Sequence, residues 1–233
     1  AFCGFNVAGP KSREILQRLT NSSLETKEFP FMRSKSIELA GIQVVAMRVS
    51  FTGDLGWEVH CKTEDQRALY IALLETAKEY EAGPVGSRAL MSMRIEKGYG
   101  SWSREYSPEY WPHEQGMERL CKMDKNFLNK LALKEVLAKE PREKMVLLHL
   151  DHDGVSASNA DATGGEPIFK NGKGVGRVTS GTYGYTVDMS LALAMLKDIN
   201  LGDRVDVMVL GQPHKATVLL EPPFDPKGER LRL

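Results

Sequence analysis

The run Phe51-Thr52-Gly53-Asp54-Leu55-Gly56-Trp57-Glu58-Val59-His60 decides how the first half of the chain reads. It reads as a strand, a glycine-rich turn and a second strand, with two glycines letting the backbone reverse sharply. Just before it, Ser36-Ile37-Glu38-Leu39 and Gln43-Val44-Val45-Ala46-Met47-Arg48-Val49 flank Ala40-Gly41, a hairpin signal. Just after it, Thr63 has N-cap chemistry. A helix is predicted from there through Leu69, Leu73 and Ala77 to about Tyr80, stopped by Gly83-Pro84.

Further out, residues 1–7 read as a buried strand. Residues 10–20 read as a helix with Pro10 in its first turn and Ile15, Leu16 and Leu19 on one face. A helix over 87–97 would bury Leu90, Met91 and Ile95 and break at Gly98-Tyr99-Gly100. The aromatic, proline-containing stretch 101–112 reads as an ordered loop, and 126–138 as a last helix. The run Lys139-Glu140-Pro141-Arg142-Glu143-Lys144 is the expected domain boundary. Beyond it the pattern is all β: short strands at 145–150, 167–169, 174–179, 190–195, 204–210 and 216–220, with Asn171-Gly172 as a tight-hairpin signal. The fold class is therefore α+β, with domains at 1–140 and 141–233, the second a small β-barrel or sandwich.

The 233 residues correspond to roughly one and a half domains, ample for a packed core. A hydrophobic share of 42% with 27% charged residues describes a globular chain, not a disordered one. Zero formal net charge argues against a dedicated nucleic-acid binder, and the apolar runs are far shorter than a membrane span. Cys3, Cys61 and Cys121 form neither a CxxC pair nor a disulfide framework, which fits a reducing compartment. The chain has no leader pattern and no initiator methionine, so its start reads as a cut through a longer protein.

Three constellations carry possible chemistry. Phe51 and Glu58 stand at the two ends of the glycine turn. A lone carboxylate beside an aromatic suits a planar heterocycle with an amino-plus-ring-NH edge, such as a pterin or guanine. A plain hairpin with a solvated glutamate is the simpler reading of the same spacing. Arg88 lies in the first turn of its helix, where a cation opposes the helix dipole and is better explained by an anionic partner. On the sequence alone an ordinary amphipathic helix is the simpler reading. The aromatics and charges from Trp102 to Glu114 fit either a cleft wall or the packing of a long loop.

Three other runs read as structural. His149-Leu150-Asp151-His152-Asp153 carries metal-ligand types but no distant partner, and reads as a solvated turn with no metal. Gly172-Lys173-Gly174-Val175-Gly176 lies within a hairpin with no helix behind it, which argues against a phosphate cradle. The hydroxyl-rich run 179–185 lacks a nucleophile elbow.

Phe51 to Glu58, then Ser87-Arg88, Met93-Arg94-Ile95-Glu96-Lys97-Gly98, Pro112-His113-Glu114-Gln115-Gly116 and Val175-Gly176-Arg177-Val178-Thr179-Ser180-Gly181, resemble in order the glycine-cleavage T-protein (aminomethyltransferase) family. The loop from Trp102 to Pro112 and the tail are most similar to the tetrahydrofolate-binding C-terminal half of dimethylglycine and sarcosine dehydrogenases. The resemblance implies that Glu58 holds the pterin edge of tetrahydrofolate while Phe51, more often Tyr in the family, stacks beside it. It implies that Arg88 lies close to the folate and that Trp102 lines the cleft. In such proteins a one-carbon unit from a small methylated amine is captured as an iminium, giving 5,10-methylenetetrahydrofolate.

The family's acidic residue near the amine belongs to a segment before Gly9-Pro10, as does the FAD-binding part of the dehydrogenases. The expectation is a folate-binding portion with weak or no catalysis on its own, no FAD site, and a bacterial cytoplasmic or mitochondrial matrix location. The alternative is a non-catalytic regulatory or interaction module of the same fold, similar to the pyruvate dehydrogenase phosphatase regulatory relatives.

Overall fold

The structure is a computed structural model and describes residues 1–151 and 160–233. The chain divides into two compact units, one of Ala1–Leu90 with Asp225–Leu233, the other of Met91–Phe224.

The first unit is a four-stranded antiparallel sheet in the order β1-β4-β3-β2, made of β1 (Phe2–Ala8), β2 (Ser34–Leu39), β3 (Ile42–Met47) and β4 (Gly56–Lys62). Alternation sorts its side chains. Ile37, Leu39, Val44, Ala46, Trp57, Val59 and Cys61 point to one face, where α1 (Ser12–Gln17) and α2 (Gln66–Lys78) bring Leu16, Leu69 and Leu73 against them. Trp57 is fully buried there, edge-on to Phe29 and with the guanidiniums of Arg48 and Arg13 at 5.6 and 5.8 Å from its ring. Arg48 also donates to the Phe29 carbonyl at 2.7 Å and to the Leu233 carbonyl, which accepts from Thr26 and Arg13 as well. Those bonds tie residues 225–233 to the unit that begins the chain.

Two local expectations are corrected here. Thr63 opens a 3-10 turn, Thr63–Asp65, and its side chain caps nothing; α2 starts at Gln66. The first helix is shorter than 10–20 because Leu19 lies beyond its end, half-buried.

The second unit holds a closed six-stranded barrel in the order β10-β5-β8-β7-β6-β9. Its strands are β5 (Lys144–Leu150), β6 (Pro167–Lys170), β7 (Lys173–Gly184), β8 (Met189–Leu196), β9 (Arg204–Val209) and β10 (Gln212–Val218). Leu148, Leu150, Ile168, Val178, Ala192, Ala194, Val207 and Val218 fill its interior. Residues 190–196 of β8 are buried on both faces, because Leu191 and Leu193 pack outward against Leu147 and Ile95. That double burial accounts for the continuous apolar run in the sequence. Asn171 and Gly172 both take positive φ, 52° and 76°, at the expected tight turn between β6 and β7.

Ile95 belongs to α3 (Ser87–Glu96), whose buried set differs from the expected stripe. Leu90 and Met91 are only half-buried, while Ser92, Arg94 and Glu96 are buried. Arg94 and Glu96 find separate partners, as their two-residue spacing requires. Arg94 pairs with Glu105 at 3.1 Å, and the Glu96 carboxylate accepts the Thr186 amide at 2.8 Å. The last helix, α4, spans only Lys130–Leu137, since Asn129 before it is left-handed at φ 63°.

Candidate functional site

β4 is an interior strand of its sheet, with Glu58 opposite Asn6 on β1 and Met47 on β3. Trp57 and Val59 are buried in the core, so alternation turns Glu58 and His60 to the opposite face, away from the helices. The Glu58 carboxylate is 37% exposed, and His60 Nε2 stands 3.5 Å from its Oε2. The imidazole lies over Gly4, its registered partner; a β-carbon there would come within 3.0 Å of the ring. Glycine at position 4 thus leaves room for the ring beside the carboxylate.

The connection from β3 to β4 carries Phe51, half-buried, next to a buried Thr52. Gly53 takes φ 88° and donates its amide to Ser50 Oγ at 2.9 Å, and Asp54 lies 3.5 Å from Arg230. The turn is therefore held from inside and from the returning tail. Phe51 sits in this connection rather than on a strand of its own, because β3 ends at Met47, and Glu58 is on β4, the strand that follows. The strand presents a half-exposed carboxylate beside His60, and an aromatic ring precedes it in the chain on a braced turn. Such a carboxylate can accept two parallel hydrogen bonds from the edge of a planar heterocycle.

Arg88 is exposed in the first turn of α3. Trp102 belongs to the second unit and is 79% exposed. A hollow of about 430 Å³ in the first unit lies elsewhere, lined by Phe5, Thr63, Glu64, Gln66, Arg67 and Tyr70. Phe5 pairs with Val59 on the helix-covered face, so this hollow is not at Glu58.

The loop 101–114 carries two buried carboxylates that the sequence did not single out. Glu105 accepts from Arg94, from the Ser101 amide at 2.7 Å and from Ser180 Oγ at 2.5 Å. Burial pushes its carboxyl up, but the hydrogen bonds, Ser180's foremost, together with the Arg94 charge hold it below the usual range. Glu114 takes the Arg142 Nε and Nη2 donors at 2.8 and 2.7 Å, plus the amides of Trp111 and Arg142. The Arg142 fork lowers its carboxyl to about 2 against the cost of burial. Glu105, Tyr106, Tyr110 and Glu114 thus hold the loop, leaving Trp102 as the aromatic turned outward. Among the described residues no His, Cys, Asp and Glu cluster suits a metal. His152 and Asp153 lie outside the described residues, and Asp151 pairs with Arg204.

The sequence matches the GCVT N-terminal domain over residues 1–125 and the glycine cleavage T-protein C-terminal barrel domain over residues 144–225. The chain belongs to the glycine-cleavage T-protein family. It is 38% identical over 220 residues to human mitochondrial dimethylglycine dehydrogenase, covering 93% of this chain and 25% of that protein. Mouse mitochondrial sarcosine dehydrogenase is 31% identical over 97% of this chain and 25% of its own length. An aminomethyltransferase of a Thermoanaerobacter species is 29% identical over 91% of this chain and 57% of its own length. The chain therefore spans about a quarter of the dehydrogenases. The crystal structure of aminomethyltransferase T from Bartonella henselae superposes with a TM-score of 0.79 at 21% identity, covering 97% of this chain and 60% of that one, which shows the shared fold. The T-protein family assignment makes the barrel a family domain and relates the chain to enzymes. No helix among the described residues is long and apolar enough to cross a membrane.

Proposed function

We propose that this T-protein-family chain is the tetrahydrofolate-binding, aminomethyltransferase-like region of a dimethylglycine or sarcosine dehydrogenase-type enzyme. The observation that carries the reading is Glu58, presented half-exposed from an interior strand beside the braced turn that holds Phe51. Its carboxylate would accept the pterin's amino-plus-ring-NH edge while Phe51 packs against the ring. Arg88 would meet an anionic part of the folate. Trp102, exposed on the loop, would be a weaker candidate for the cleft wall. Tetrahydrofolate would supply the nucleophilic nitrogen that receives a one-carbon unit from a small methylated amine, with 5,10-methylenetetrahydrofolate as product. The residues of this chain would bind and orient the pterin; FAD, in a dehydrogenase-type parent, would be held by a different region. We place the boundary between the folate-binding part and the barrel at about residue 140, within the gap between the two family matches. The compartment that fits is the mitochondrial matrix or a bacterial cytoplasm, with neither nucleic acid nor membrane as partner.

Titration of the purified chain and of its full-length parent with tetrahydrofolate tests the reading. Loss of a charge-assisted pair of hydrogen bonds in Glu58→Ala should weaken binding by at least about tenfold, equivalent to roughly 1.4 kcal/mol. Absence of binding in the parent would overturn the proposal and leave the non-catalytic module as the better reading.

A further inference from the structure

We infer that Cys3 and Cys61 are a modification site, a dithiol that peroxide converts to a reversible cross-strand disulfide. Cys3 on β1 and Cys61 on β4 are direct partners in the antiparallel register. Residues so opposed have Cα atoms about 4.5–5.5 Å apart, inside the roughly 4.4–6.8 Å window of a disulfide. Their Sγ atoms already touch at 3.3 Å, in line for hydrogen bonding between the thiols. Both are free thiols, and closing to the bond length of about 2.05 Å asks for a modest side-chain rotation rather than a backbone shift.

The two sulfurs differ in a way that sets the order of events. Cys61 is fully buried in the core of the sheet, whereas Cys3 is half-buried on the outer strand of the pair. Burial, then the contact with Cys3, pushes the Cys61 thiol up to about 11, so it stays protonated at neutral pH. Cys3 is accordingly the thiol that meets the oxidant. With hydrogen peroxide, the Cys3 thiolate sulfur bonds one peroxide oxygen as the O–O bond breaks. The departing hydroxide takes up the proton that Cys3 released and leaves as water. The Cys61 sulfur then attacks the Cys3 sulfenic acid; the S–S bond forms and the hydroxyl leaves as a second water with the Cys61 proton. Both sulfurs are oxidised, both peroxide oxygens are reduced, and two thiol hydrogens end in water. An external thiol restores the pair by exchange.

The bond would join strands whose cysteines are 58 residues apart in sequence, and would fix β1 to the strand that bears Glu58. Cys121 belongs to the other unit, with its thiol directed to the Met117 carbonyl.

The test uses the full chain, treated with graded hydrogen peroxide, quenched by alkylation and digested. The expected result is a cross-linked pair of tryptic peptides carrying Cys3 and Cys61, lighter by two hydrogens, reversed by dithiothreitol, and formed at a rate independent of protein concentration. The oxidised chain should melt at a higher temperature than the reduced one. Cys121→Ser should keep the cross-link, and Cys3→Ser, at the half-buried position, should abolish it while melting like the reduced parent. Cys61→Ala gives a second check, with Cys3 then stopping at the sulfenic stage, trapped by dimedone. A Cys3 sulfinic acid beside free Cys61 in the unsubstituted chain, a cross-link through Cys121, a concentration-dependent rate, or persistence of both thiols would each overturn the inference.

Discussion

Replacing Glu114 by glutamine keeps the size of the side chain and removes its charge, testing whether the ion pair with Arg142 holds the long loop. The carboxylate is 0% exposed and accepts four hydrogen bonds from Arg142 and Trp111, two of them from the Arg142 guanidinium fork. Its carboxyl falls from 4.5 to about 2. At about 1.36 kcal/mol per decade this corresponds to roughly 3 kcal/mol. Arg142 is 53% exposed, so water screens the pair, and about 2 kcal/mol is the figure to expect.

The sign follows from the direction. The carboxyl is depressed in the folded state, so its contribution is complete above 4.5, where the unfolded chain is also ionised, and fades as pH falls toward 2. Urea unfolding of the parent and of Glu114→Gln, followed at pH 7, 5 and about 3.5, should show a gap of about 2 kcal/mol at the first two and a narrower one at the third. Scanning calorimetry at pH 7 should place the variant's midpoint roughly 4–8 °C lower. A gap under about 0.5 kcal/mol at pH 7, the ordinary size for an exposed ion pair, refutes the reasoning, as does a gap that ignores pH.

Two further expectations rest on geometry. Arg48→Met strips donors from the Phe29 and Leu233 carbonyls and should cost about 2–4 kcal/mol by urea titration, with residues 225–233 becoming the first site of limited proteolysis; an intact tail would contradict this. Gly176→Ala would set a β-carbon 2.0 Å from the Met195 carbonyl oxygen, whereas at Gly172, at φ 76°, a β-carbon meets nothing within 4 Å. The second should cost about 1–2 kcal/mol for the left-handed backbone alone, and the first clearly more; equal midpoints would refute the difference.

Much of the fold was legible because local rules act over a few residues. Alternation in Gln43–Met47 and in Glu58–His60 separates buried from exposed faces, and Asn171-Gly172 encodes its own turn. Of the candidate pair, alternation alone turns Glu58 off the core of β4, while Phe51 lies in the connection before it. Arg88 stood out by its place in the first turn of a helix and Trp102 within an aromatic, charged run, the family resemblance adding a folate role to each, and the folded chain shows both exposed. The expected stripe of α3 failed for an instructive reason. Helical periodicity finds apolar faces, but Arg94 and Glu96 are buried by partners distant in sequence, Glu105 and the Thr186 amide. Likewise Arg142 stood in a charged run that read as a boundary, and its fork is closed by a carboxylate 28 residues earlier.

The sequence by itself determined the α+β class, the hairpins, the β-rich second half and the family motifs, because periodicity, turn chemistry and motif order are properties of neighbours along the chain. Tertiary structure alone decided which charges are buried, that the tail rejoins the first unit at Leu233, and that two cysteines 58 residues apart touch. Burial and contact depend on which distant residues meet, and only the folded chain brings them together.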